Sequence, residues 1–288
     1  MILAFAIAAL VAVLVIVLGV NMFVRGGDPD PVAAGHVHAL GVNEADGSIM
    51  VASHAGLLRV DPDTQESERV GGHYRDMMGF AVVGPDEFLA SGHPDVPGMV
   101  DGDPRQLGVL RSTDAGLSWQ ELSLVGLADL HELVAVGDSV LAWDSVTSQL
   151  MVSDDLGSWE ALSRIDLLDL AVDPEQNFQL VAATPEGVMR SVDGGRSWES
   201  LDSPDLVQVA WSSDIGLFGL DADGGLWSGG PLRWSPAGEV PGEPQVLEAH
   251  GSTLLAAVRD SEGVTEVYMS EDLGRTWFRV FRDSTGHQ

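Results

Sequence analysis

The chain has 288 residues, 14 of them basic and 44 acidic, for a net charge of −30, and it contains no cysteine. The missing cysteine excludes a disulfide scaffold, a thiolate zinc or iron–sulfur site and a thiol enzyme. The acidity opposes phosphate contacts, so no nucleic acid is expected among the partners, and a 45% hydrophobic composition is too apolar for a disordered chain.

Residues 2–24, ILAFAIAALVAVLVIVLGVNMFV, carry no charge. At ~1.5 Å per residue in a helix they cover a hydrocarbon core of ~30 Å. This predicts a single transmembrane helix over residues 1–25, followed by a short linker at 26–35 with the sequence GGDPDPVAAG. The large domain is expected outside the cytoplasm, held at the cell membrane by this single span.

Beyond the linker the chain repeats itself. STDAGLSW (112–119), SVDGGRSW (191–198) and SEDLGRTW (270–277) share the pattern S-x-D-x-G-x-[S/T]-W. SDDLGSW (153–159) is one residue short, and a fifth copy near Trp227 and Trp234 is eroded. Each copy lies between short alternating apolar runs, which predicts β-hairpins. In such a turn the Asp can accept bonds from turn amides, Gly supplies a positive φ, and Trp buries a large area. Six units of four strands can be laid out between residues 36 and 283, leaving a tail at 284–288. Units of ~40 residues with four strands each predict a six-bladed β-propeller.

In a blade, the start of the innermost strand and the end of the second lie at the same end of the ring. His36 and His38 start the first strand of blade 1, and His54 ends its second. His73 lies in the loop into blade 2, with Asp76 and Met78 just beyond it. His93 ends the second strand of blade 2, and His131 starts blade 3. Six histidines from three consecutive blades are thus expected on one face. The equivalent positions in blades 4–6 hold Asp169, Thr184, Asp221 and Arg259, so the cluster is not a feature of the repeat. Neutral imidazole is the commonest transition-metal ligand, and a thioether such as Met78 favours copper. The expected site is a copper centre, with zinc as the alternative, formed by His36, His38, His54, His73, His93, His131, Asp76 and Met78. Asp129 can orient a ring N–H. His250 and His287 fall outside the pattern.

The turns resemble the Asp-box (BNR) hairpin. Together with the apolar N-terminal run, the segments HVHAL (36–40), VASH (51–54), DMMGF (76–80), ASGHP (90–94) and DLHEL (129–133) resemble a bacterial family of membrane-anchored Asp-box propellers labelled glycosyl hydrolase-like or exo-sialidase-like. The resemblance implies an outward-facing propeller and a setting of copper handling. Two further activities remain open. A sialidase needs an arginine triad and a Tyr–Glu pair, whereas only Tyr74 and Tyr268 are present and no triad is evident around Arg59, Arg75 and Arg259. A generic glycosidase needs two carboxylates ~5–9.5 Å apart, which the acids near Asp76, Asp95, Asp101 and Asp103 could provide. A non-catalytic scaffold would use the face to hold a protein partner.

Overall fold

The computed structural model describes residues 33–72, 75–95, 104–230 and 233–284. The apolar run 2–24, His73, Asp101, Asp103 and the tail beyond Ser284 lie outside them. No helix occurs among the described residues, so none there is long and apolar enough to cross a membrane.

The described residues form 24 strands in six four-stranded antiparallel sheets, each built from consecutive strands. Blade 1 holds β1 (Val37–Val42), β2 (Ile49–Ser53), β3 (Gly56–Val60) and β4 (Ser67–Arg69). Blade 2 holds β5 (Asp76–Gly84), β6 (Glu87–His93), β7 (Val109–Ser112) and β8 (Gln120–Ser123). Blade 3 follows with β9 (Leu130–Val136), β10 (Ser139–Asp144), β11 (Gln149–Ser153) and β12 (Glu160–Arg164). Blade 4 comprises β13 (Asp169–Val172), β14 (Leu180–Thr184), β15 (Gly187–Ser191) and β16 (Glu199–Ser200). Blade 5 comprises β17 (Leu206–Ser212), β18 (Gly216–Asp221), β19 (Gly225–Gly230) and β20 (Arg233–Glu239). Blade 6 ends the ring with β21 (Glu243–His250), β22 (Thr253–Arg259), β23 (Thr265–Ser270) and β24 (Phe278–Arg282).

Burial follows strand position. The second strands β2 (IMVAS) and β14 (LVAAT) are buried along their whole length, because a neighbouring blade covers each of their faces. The outermost strands, such as β16, are exposed. The core is a series of apolar wedges between consecutive blades. One contains Met50 and Leu57 of blade 1 with Phe80 and Phe88 of blade 2. Another contains Leu141 and Leu150 of blade 3 with Leu170 and Leu180 of blade 4.

The serine–aspartate turns join these wedges. In blade 4, Asp193 accepts bonds from the Ser197 amide at 2.9 Å and the Ser197 hydroxyl at 2.6 Å. The Ser191 hydroxyl in turn accepts the Gly195 amide at 2.9 Å. These bonds hold the Asp193 carboxyl down at about 2. Trp198 reaches back to donate to the Ser163 hydroxyl of blade 3 at 3.0 Å. Gly195 has φ +84°, and a Cβ there would stand 2.6 Å from Leu150 Cδ2 of blade 3. Gly116 packs the same way against Leu57, at 2.7 Å and φ +86°. The turn glycine therefore serves both the turn conformation and the joint between blades.

The ring closes through side chains between blades 6 and 1. Asp283 accepts the Ala34 amide at 3.0 Å, and Gln245 accepts the Val37 amide at 3.0 Å. The Thr265 hydroxyl donates to the Gly35 carbonyl.

Candidate metal centre

The six first strands line a central channel of about 600 Å³. Five of them, all but β13, carry a bulge near the entry end, that of β17 falling at Val207. In β1, β5 and β9 the register slips at a bulge, and the extra residues are His38, Met78 and His131. In β21 the extra residue is Gln245. A bulge re-aims the side chain of its extra residue, and all four of these residues line the channel. The bulge sets the direction of the His38 side chain, and its ring meets that of His36.

Five of the six predicted histidines come together, and the sixth, His73, lies outside the described residues. The His36 and His38 rings are 4.8 Å apart between centroids, and His38 and His54 are 4.6 Å apart. Asp76, at the start of β5, faces them. Its Oδ1 lies 3.7 Å from His38 Nε2 and 3.9 Å from His54 Nε2. Ligating atoms of His38, His54 and Asp76 fall within 4.8 Å of one another. Asp76 Oδ2 turns the other way, 3.4 Å from His93 Nδ1 in hydrogen-bond geometry. His93 Nε2 lies 3.2 Å from Asp129 Oδ1, and Asp129 Oδ2 lies 3.4 Å from His131 Nε2. Asp129 thus contacts two rings directly.

Four of these atoms are buried without a hydrogen-bond partner among the described residues: His38 Nε2, Asp76 Oδ1, Asp129 Oδ1 and His131 Nε2. Such atoms are costly unless something satisfies them. Burial, and then the neighbouring rings of His36 and His54, push the His38 imidazole down to about 3. His36 is lowered by the same causes and by the Arg259 charge. Both rings are therefore neutral near pH 7, the form that ligates metal. The cluster opens to solvent through His54, which is 52% exposed, whereas His38 is only 12% exposed.

Other predicted groups fall elsewhere. Arg59 pairs with Asp46 at 2.7 Å in the loop between β1 and β2, at the opposite end of the ring. Tyr268 donates to Glu266 at 2.7 Å, but Arg279 caps that carboxylate at 2.8 Å on the outer strands of blade 6. His250 is exposed at the far end of β21.

Three channel acids were not among the predicted site residues: Glu132 of β9, Asp169 of β13 and Glu248 of β21. Burial, reinforced by Asp169, pushes Glu248 up to about 8. Glu132 and Asp169 are likewise raised, foremost by burial. Their signal was available: charged residues inside apolar first strands (HELVAV, LDLAV, QVLEA) must face a channel.

The sequence matches no family model and no curated protein. Among solved structures, the chain is similar to the GH74 xyloglucanase from Xanthomonas campestris, with TM-score 0.57 and 18% identity over 86% of this chain and 46% of that one. It is also similar to YCF48 from Cyanidioschyzon merolae, with TM-score 0.53 and 16% identity, covering 88% and 87% of the two chains. A streptogramin B lyase gives TM-score 0.58 at 9% identity, covering 88% and 86%. These likenesses define the class, a six-bladed β-propeller. The chain spans less than half the length of the xyloglucanase, and at such identities the similarity concerns the fold alone.

Proposed function

We propose that the propeller binds a transition-metal ion at its entry face, with His38, His54 and Asp76 as ligands and His36 beside them. The observation that carries this reading is the pair of buried, unpartnered atoms His38 Nε2 and Asp76 Oδ1, which face each other at 3.7 Å. An imidazole and a carboxylate held this way, with no cysteine nearby, suit Cu²⁺ or Zn²⁺. Copper is the reading we adopt. It stands highest in the affinity order for such donors, and Met78 occupies the bulge position between His38 and His131. The apolar run 2–24 supports a membrane-anchored protein whose propeller lies outside the cytoplasm. The serine–aspartate turns support a place among Asp-box propellers. Metal homeostasis is the role we assign.

The test is metal analysis of the full chain, loaded with Cu²⁺ or Zn²⁺ in parallel and dialysed. Retained copper is expected, with at least a 100-fold loss of affinity in the His38→Ala/His54→Ala double variant. Retained zinc in place of copper would correct the metal. No retained metal, or metal held equally by the double variant, would overturn the site.

A further inference from the structure

The contacts at the entry face are strung along a line: His38 and His54, then Asp76, His93, Asp129 and His131. We propose that this line is two adjacent metal centres, the second formed by His93, His131 and Asp129. The proposal rests on the metal-binding reading above and extends it from one cation to two.

His93 carries the argument. The two nitrogens of an imidazole point in different directions, so one ion can take only one of them. His93 Nδ1 is in hydrogen-bond geometry with Asp76 Oδ2 at 3.4 Å. His93 Nε2 stands 3.2 Å from Asp129 Oδ1 but outside hydrogen-bond geometry, so that oxygen has no hydrogen-bond partner among the described residues. His131 Nε2, 3.4 Å from the other oxygen of Asp129, has none either. Two imidazole nitrogens beside the two oxygens of one carboxylate, with Asp129 Oδ1 and His131 Nε2 left without hydrogen bonds, form a donor set that a cation would satisfy. The spacing suits one: ligands ~2.0–2.1 Å from a tetrahedral ion stand about 3.3 Å apart.

The arrangement also links the two centres. Asp76 would ligate the first ion through Oδ1, and through Oδ2 it would fix the tautomer of His93 at the second. A carboxylate that orients a ligating histidine in this way raises the basicity of the ring. Asp129 is tied down in turn, since its own amide donates to Asp144 Oδ1 at 3.0 Å and its Oδ2 accepts the Ser145 hydroxyl at 3.3 Å. Met78 shares the bulge position in the blade between the two groups.

The experiment counts ions. The full chain is titrated with Cu²⁺, and separately with Zn²⁺, and the bound metal is measured per chain alongside spin-counted electron paramagnetic resonance of the copper form. Two equivalents are expected, with the copper signal below two spins per chain because neighbouring ions couple. The Asp129→Asn/His131→Ala variant should hold one equivalent with full signal, and the His38→Ala/His54→Ala variant should retain the second ion. One equivalent in the native chain, lost only with His38 and His54, would overturn the second centre and leave the first standing. Two equivalents unaffected by Asp129→Asn/His131→Ala would also overturn it. No bound metal at all would remove both readings. Thermal melting of each metal-free variant separates loss of a ligand from loss of the fold.

Discussion

The two ends of the ring use polar residues in opposite ways. At the turn end, the motif carboxylates are satisfied within their own hairpins, as Asp193 is by Ser191 and Ser197. At the entry end, the residues differ from blade to blade, and four buried atoms of the histidine–aspartate cluster lack hydrogen-bond partners among the described residues. The last residue of each second strand makes the contrast sharper. Thr184 in blade 4 bonds the Gly187 carbonyl at 2.7 Å, and Ser53 in blade 1 bonds that of Gly56 at 2.9 Å. Asp221 in blade 5 accepts the Gly225 amide at 2.8 Å. These residues close their own turns. His93, at the same position in blade 2, reaches instead to carboxylates of its own blade and the next. A residue released from its local structural duty, and left with buried atoms unmatched, marks a site.

The comparison can be broken most forcefully at the turn end. Gly195→Ala would put a Cβ 2.6 Å from Leu150 at φ +84°. It should cost about 2–4 kcal/mol, read as a lower melting temperature, while metal binding by the folded fraction stays unchanged. An unaltered melting temperature would mean that the joint between blades carries no strain. Metal loss from the folded protein would mean that the two ends are not separable.

The channel offers a smaller, pH-dependent test between the two ends. Burial lifts Glu248 to about 8 in the folded chain, above its ordinary range near ~4.5, so the native state holds a proton that the unfolded chain releases. The stability this group contributes is complete below about pH 4.5 and is lost as pH rises through 8. Glu248→Gln removes the titration. Its melting temperature should match the native protein at pH 4 and exceed it by roughly 3–8 °C at pH 9. A constant difference at both pH values would contradict a buried, raised carboxyl.

The fold was legible in the sequence because the turn residues repeat: Ser, Asp, Gly and Trp do the same local work in several blades, and the apolar runs between them lay out six four-stranded units. The metal face was legible in part. His36, His38, His54, His93, His131 and Asp76 could be placed at strand starts and ends, and those positions meet in the ring. What escaped the reading was the direction of side chains at the bulges. Nothing in HVHAL or DLHEL states that His38 and His131 leave the ladder and turn into the channel. The channel positions of Glu132, Asp169 and Glu248 were open to the reading, as charged residues inside apolar first strands, whereas the direct contacts of Asp129 with two rings come from the fold around it.

The central claim is that the blade 1 imidazoles of His38 and His54 share a metal ion with the blade 2 carboxylate of Asp76, and X-ray absorption at the metal edge of the copper-loaded full chain tests it most directly. The account predicts a first shell of nitrogen and oxygen at ~2.0–2.1 Å, with the outer-shell scattering of imidazole rings, and weakening of that ring scattering in the His38→Ala/His54→Ala variant. A shell of oxygen alone, or ring scattering untouched by the double substitution, would contradict it.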